Sequence, residues 1–361
     1  MRIKYCFIVL LLFPFYTLFA QMDPQFSFFP WTQSYTNPGA MGERENHLNF
    51  TFVLRQGSLL IKDTTQTSQS GTDPSTPIPN PNLPGKKEKP KKNFILLDQQ
   101  QVLLHIDSYI KQIKGAVGVT FLKDKVGTMD NVGFRFGYAT RLKVRGGKLG
   151  IGLQLGFLNM KPNQAYLNYL QTGDPLDVIL KQSETFLDFD VNFGIHYKAP
   201  TWYVGVSGTQ LFGGLRISGD ENLLRIPRQL YFSGGYIWNL NTAIPWSIEP
   251  HILLHTELKT WHLHLMALAR YNGIVWFGLS YQHDNGISAL VGATPFYNSS
   301  NDYLRGLDVG VSYSFDTKKT AYVKGGTWGD FELVVRYGFN FYKEKILTGY
   351  GSTRHLHKNQ Y

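Results

Sequence analysis

Four histidines lie close together in the chain: His251, His255, His262 and His264. Alternation places the first two on one face of an extended run and the second two on the matching face of the next. Two or three of these imidazoles could therefore converge on a metal. No carboxylate is placed to orient them, and histidines lining a wet interior explain the pattern equally well, so no metal site is expected. A hydrolase would need a serine within hydrogen-bonding reach of a histidine and a polar orienter; Ser207 and Ser280 carry no supporting motif. Asp188 and Asp190, two apart on one face, suit acid–base chemistry, but a polar lining accounts for them as well. No glycine loop follows a strand and opens a helix, so no phosphate cradle is expected. The expectation is a chain with no catalytic residues and no cofactor, hence not an enzyme.

Cysteine chemistry is excluded on position. Cys6 is the single cysteine, and it falls within residues 1–20, which read as a signal peptide. Arg2 and Lys4 precede an apolar stretch from Phe7 to Phe15, and Ala20 is a small residue ahead of Gln21. The remaining chain would hold no cysteine, and with it no disulfide and no thiolate ligand. No later segment reaches eighteen consecutive apolar residues, so a membrane-spanning helix is not expected.

The elements that carry these side chains show a period of two from about 47 to 342. In the run from Val132 to Val144, Val132, Phe134, Phe136, Tyr138, Leu142 and Val144 alternate with Gly133, Arg135, Gly137, Arg141 and Lys143. Only a strand sends neighbouring side chains to opposite faces. Leu149 to Phe157 alternates with Gly150, Gly152, Gln154 and Gly156, and Leu187 to Tyr197 alternates with Asp188, Asp190, Asn192, Gly194 and His196. Phe331 to Phe341 alternates with Glu332, Arg336, Gly338 and Asn340. An arginine facing lipid at the midplane costs about 2–4 kcal/mol, so the Gly/Arg/Asp face is the lumen. A soluble sandwich would also alternate, but several runs here reach the roughly 9–11 residues that cross a bilayer at a tilt.

These features predict an all-β fold, a transmembrane antiparallel outer-membrane β-barrel of about 14 strands. The strands are expected near 47–55, 101–107, 115–122, 131–144, 148–158, 184–198, 201–208, 228–238, 247–256, 259–271, 273–282, 286–293, 304–315 and 330–342. Long connections at 57–100, 159–183, 209–227 and 316–329 alternate with short ones at 145–147, 199–200 and 272. That parity suits short periplasmic turns and long external loops with the N-terminus inside. Residues 64–92 are low-complexity and end in the lysine-rich stretch 86–92, so this part of the external loop 57–100 is expected to be disordered. The domain reading is a signal peptide at 1–20, a periplasmic or plug segment at 21–46, a barrel at 47–343 and a polar tail at 344–361.

Composition agrees with this architecture. Phe 25, Tyr 21 and Trp 7 make 15% aromatics beside 36 glycines, while mean hydropathy is only −0.20. One lipid face and one wet face give that balance. The formal charge of +10 falls to +8 once Arg2 and Lys4 leave with the signal. That sign suits anionic lipid or polysaccharide, and no nucleic-acid motif is present.

The expected start of the mature chain is more specific. Asp23, Pro24, Gln25, Phe26 and Ser27, followed by Asn37, Pro38, Gly39, Ala40, Met41 and Gly42, resemble the opening of the PorP/SprF family of type IX secretion system membrane proteins. Gly118–Gly127, Lys148–Phe157, Ser233–Tyr236 with Pro250, Gly278–Tyr281 and Gly326–Phe339 resemble later landmarks of that family. Gly39 stands where the family usually has Ala, the first external loop is unusually long, and a tail follows the last strand. The resemblance implies a multi-pass protein of the cell outer membrane that supports export or anchoring of surface adhesins and, in gliding bacteria, motility. It also implies, as partners, type IX secretion components, periplasmic or peptidoglycan-linked proteins and a surface adhesin. Asp23, Pro24, Gln25, Phe26, Ser27, Asn37, Pro38 and Gly42 are the candidate partner-binding residues.

Proline fixes φ and glycine permits φ > 0, so 22–45 is expected to be an ordered, non-strand segment. It would plug the barrel or dock a partner, with the glycines at 150, 152 and 156 permitting close backbone approach. The alternatives are a plain linker for this segment and, for the whole chain, a passive pore or small-solute transporter.

Overall fold

The computed structural model describes residues 23–43, 47–62, 94–126, 129–162, 185–212, 215–218, 226–241, 245–257, 259–283, 286–299, 306–316 and 328–340. The expected signal at 1–20, the low-complexity stretch 64–92 and the tail 344–361 lie outside them.

Among the described residues, sixteen strands form one antiparallel sheet. In chain order they are β1 (His47–Lys62), β2 (Phe94–Ile110), β3 (Gly115–Val126), β4 (Met129–Val144), β5 (Gly147–Pro162), β6 (Phe186–Lys198), β7 (Trp202–Thr209) and β8 (Leu215–Ser218). There follow β9 (Gln229–Tyr236), β10 (Trp238–Asn241), β11 (Pro245–Thr256), β12 (Trp261–Tyr271), β13 (Val275–Gln282), β14 (Gly286–Ala293), β15 (Leu307–Asp316) and β16 (Trp328–Asn340). Strands β1 to β7 pair in chain order, as do β11 to β16; β1 also pairs with β16, and β9 pairs with both β7 and β11. The ring is therefore closed, which leaves no open edge in the bilayer. Fourteen strands make the wall. Strand β10 continues β9 past Ile237, and β8 lies against the outer half of β6.

Register fixes the two faces. On β4, Phe134 and Phe136 are each 52% exposed whereas Arg135 between them is 4% exposed. The same alternation runs through β5, where Leu153, Leu155 and Phe157 are exposed and Gln154 is fully buried. The exposed apolar side chains form the lipid face and the polar ones the interior. The turns at 111–114, 145–146, 199–201 and 272–274 are short and share one end of the barrel. That end is periplasmic by the loop-length rule.

Three expectations shift. The loop 57–100 is shortened from both sides, because β1 runs on to Lys62 and β2 begins at Phe94. The apolar clusters there break the alternation, yet Leu59 pairs with Leu97 and Ile61 with Ile95; ladder hydrogen bonds, not face alternation, hold this extension. The stretch 209–227 is not all loop. At Gln210 the backbone turns left-handed (φ 54°), the chain leaves the wall, and β8 takes over pairing with β6. The last strand spans Trp328–Asn340 rather than 330–342. Lipid exposure at one face makes a depth-dependent cost. Phe136→Arg, at mid-strand, should lower unfolding free energy in detergent by about 2–4 kcal/mol and Val132→Arg, near the outer end, by about 0–1. Equal costs in denaturant titrations would refute the assignment of faces.

Candidate functional site

Residues 23–43 lie inside the barrel. A short α-helix, α1 (Gln33–Thr36), and a 3-10 turn (Pro38–Ala40) are its regular parts. Irregular backbone inside a closed wall must find partners for its N–H and C=O groups, and lumen-facing side chains supply them. Glu332 accepts from Ser27 N at 2.9 Å and from Phe28 N at 3.2 Å. Arg55 donates to Gln25 O at 2.8 Å, Gln154 to Ser34 O at 3.3 Å and Ser207 to Thr36 O at 2.8 Å. Arg141 donates to Ala40 O at 2.8 Å and Met41 O at 2.9 Å, and Asp107 accepts from Gly42 N at 2.5 Å. These wall residues come from the half of the ring that runs from β16 through β1 to β7, and β16 lies across the lumen from β7, so the segment cross-braces the ring.

The two halves of the opening motif are held by different physics. Asp23 is buried and meets Arg135 at 3.2 Å; the same guanidinium reaches Asp190 at 2.5 Å. Gln210, at the bend after β7, donates to the other Asp23 oxygen at 3.2 Å. Phe26, Phe28 and Phe29 sit in an apolar seat lined by Val53, Leu103, Leu253, Met266, Leu268, Trp276 and Val334. Burying each phenyl ring contributes roughly 1.5–3 kcal/mol relative to exposure. Trp31 stacks on Phe28 with centroids 5.2 Å apart and meets Trp276 edge-on at 4.7 Å.

Further along, Asn37 accepts from Gly39 N at 2.9 Å and donates to Ile195 O at 3.0 Å. It caps the 3-10 turn, with Pro38 preset at the first helical position. This turn lies flat on the wall. A Cβ on Gly150 or Gly152 would fall on the backbone of Gly39 and Pro38, and one on Gly194 would strike Asn37. Gly39 is held as tightly, since a methyl there would lie 2.8 Å from Gly150 O and 2.9 Å from Gly194 O. The departure from alanine at this position therefore matches a seat with no room for a side chain. Gly156 serves another purpose: its open space is taken by Arg135 and the Phe134 carbonyl, not by the segment. At the periplasmic end Glu43 pairs with Lys198 at 2.9 Å. Desolvation pushes the Glu43 carboxyl up, but Lys198, with Arg141 behind it, outweighs this and holds it below the usual carboxylate range.

All eight residues singled out from the sequence lie in this segment. Asp23, Ser27, Asn37, Pro38 and Gly42 contact the wall, Pro24 and Phe26 are buried, and Gln25 is half-buried and bonded through its carbonyl to Arg55. The four histidines do face inward, but they are divided among neighbours. His264 meets Ser280 at 2.7 Å, His251 meets Tyr203 at 3.1 Å, and His255 stacks on Tyr231 at 4.5 Å. Gln282 donates to His264 Nδ1 at 3.4 Å. Both ring nitrogens of His264 thus have neutral partners, and neither is a carboxylate that would orient the imidazole toward Ser280 as a base. Ser207 is occupied by the segment, and Asp190 by Arg135. Among the described residues no group of three or more His, Cys, Asp or Glu could hold a metal. The apolar seat was not foreseen, although a signal exists. Doubled apolar residues such as Val53-Leu54, Leu103-Leu104, Leu253-Leu254 and Val334-Val335 put one member on the lumen face.

Closed strands, an apolar outer face and a polar, filled interior define a multi-pass β-barrel of the outer membrane. The chain belongs to the family described as type IX secretion system membrane protein PorP/SprF, whose model matches residues 97–337. The opening motif at 23–42 precedes the matched stretch. No curated protein matches the chain in sequence. Among solved structures, the deltaS2S3 mutant of the TodX monoaromatic hydrocarbon channel is similar with a TM-score of 0.51 at 11% identity, covering 85% of this chain and 94% of that one. The deltaS2 mutant of the same channel gives 0.50 at 10%, covering 85% and 93%. The Ralstonia pickettii toluene transporter TbuX gives 0.43 at 12%, covering 85% and 92%. At these identities the likeness is one of fold.

Two outcomes are expected. Gly150→Val with Gly152→Val should unseat the segment, so that a cysteine placed by Ser27→Cys, shielded in the parent, reacts with a maleimide. Continued protection would place the holding force elsewhere. Arg135→Met strands Asp190 and Asp23 as buried unpaired carboxylates and should cost about 3–5 kcal/mol in urea unfolding. Adding Asp23→Asn and Asp190→Asn should recover much of that, and a purely additive result would break the coupling.

Proposed function

We propose that the chain is a non-enzymatic outer-membrane accessory of type IX protein secretion, which acts by binding other components and supports export or anchoring of surface adhesins, including those of gliding motility. The observation that carries this reading is the filled lumen: residues 23–43 occupy the interior and bond to the wall through their backbone. A barrel shut in this way is suited to holding partners rather than to passing solutes. Membership in a type IX secretion family supplies the machinery to which such partners belong.

Within this reading, the motif at Asp23–Ser27 and Asn37–Gly42 seats the plug. Its side chains face the wall, so a partner can engage them directly only if the segment leaves the lumen. While it stays, partners meet the barrel at the periplasmic mouth or the external loops.

Affinity purification of the full-length protein from detergent-solubilised outer membranes, beside a variant lacking 22–45, tests the proposal. Secretion components or an adhesin should co-elute with the full-length protein, and planar-bilayer current should stay closed until the segment is removed. Steady open-channel current from the full-length barrel, with nothing co-eluting, would instead assign a pore, the class to which the TodX channels belong.

A further inference from the structure

The periplasmic mouth carries a row of lysines in register. Lys143 on β4 is the direct ladder partner of Lys148 on β5, and Lys148 is the direct partner of Lys198 on β6. Like charges placed opposite one another on neighbouring strands destabilise a sheet unless other groups offset them; at Lys198 the offset comes from Glu43. All three share the parity of Arg141, Gly150 and His196, which face the interior. They therefore line the rim of the mouth and turn away from the lipid. Exposed Lys111 and Lys114 on the preceding turn and exposed Arg145 beside the row extend the basic arc. The stretches 110–114, 142–149 and 197–201 contain no Asp or Glu.

One acidic group reaches this arc, from the plug. Glu43, at the end of the plug, pairs with Lys198 at 2.9 Å, while that ammonium also lies 5.1 Å from the Tyr203 ring centroid. Glu43 thus displays, within the chain itself, the chemistry the row accepts: a carboxylate on irregular backbone entering the mouth. Lipid headgroups would be met by outward-facing cations at the rim, and Lys143, Lys148 and Lys198 point inward.

We infer that the row Lys143–Lys148–Lys198, with Arg145, Lys114 and Lys111 around it, is a docking site for an acidic peptide segment of a periplasmic protein, seated beside the plug's end. The inference rests on the accessory reading and names the chemistry of one partner. The segment would lie across β4–β6 at the mouth, its carboxylates continuing the contact that Glu43 begins. Multiple ammonium groups along a line favour a run of carboxylates over a single anion.

The test uses the purified full-length protein in detergent and a fluorescein-labelled glutamate decamer as probe, with a glutamine decamer as control. Fluorescence anisotropy should report binding of the glutamate probe only, lost at 1 M salt, where the screening length shrinks to about 3 Å. Lys143→Gln with Lys148→Gln should weaken it at least tenfold, and Lys143→Glu with Lys148→Glu should abolish it. Lys123→Gln with Lys125→Gln, at the opposite end of the barrel, should leave it unchanged. Heat-modifiable gel mobility confirms that each variant is folded. Equal binding by all variants, or no binding by the parent, would overturn the site. So would flotation with phosphatidylglycerol vesicles that depends on Lys143 and Lys148 while the peptide is ignored. Secretion components that still co-elute with the double-Gln variant would refute the docking site and leave the accessory reading standing. Peptide binding without any co-eluting component would uphold the site and refute that reading.

Discussion

The structure depends on polar side chains of the wall satisfying the backbone of a segment that has no sheet of its own. A ring of fourteen strands is too wide for its inward side chains to fill. The chain between 23 and 43 occupies that space, but every unpaired N–H and C=O it brings into the barrel would cost free energy. Glu332, Arg55, Gln154, Ser207, Arg141 and Asp107 remove that cost one group at a time. The same contacts hold strands on opposite sides of the ring at fixed separations. Wall and plug are thus stabilised together.

Two further arrangements follow from that constraint. Where the segment carries rings, the interior departs from a wet lumen and becomes apolar, with Trp276 and Leu103 fully buried against Phe28 and its neighbours. Where it carries a tight turn, the wall gives up side chains altogether, and Gly150, Gly152 and Gly194 let Asn37, Pro38 and Gly39 rest on the strands. The charged group at the top, Asp23 with Arg135 and Asp190, is the third kind of anchor. A buried triad of this kind adds little net stability, whereas the loss of one member is costly because it leaves the others unpaired. It fixes the position at which the segment begins.

The association with type IX secretion comes from the family match over 97–337, while the filled interior and the basic periplasmic rim describe how such a barrel would take part. On the reading proposed above, a shut wall with a charged mouth would transmit binding rather than flux.

Much of this was legible in the sequence because the period of two is a local property. Arg135 between Phe134 and Phe136 assigns both faces of β4 without reference to any other strand, and the alternation of short and long connections orients the barrel. The turn-forming Asn37-Pro38-Gly39 marks an ordered, non-strand segment for the same reason. Pairing is not local. The extension of β1 to Lys62 and of β2 back to Phe94 rests on each strand's partner, and the bend at Gln210 rests on Asp23 and Asn192. The sequence likewise placed His251, His255, His262 and His264 on one face but not who their neighbours were. The tertiary structure decided that His251, His255 and His264 meet Tyr203, Tyr231, Ser280 and Phe29, and that His262 meets only the ring of His255 among the four, which leaves no group of three among the described residues. Alternation determines which way a side chain points; only the closed ring, which brings residues hundreds of positions apart across one lumen, determines what it touches.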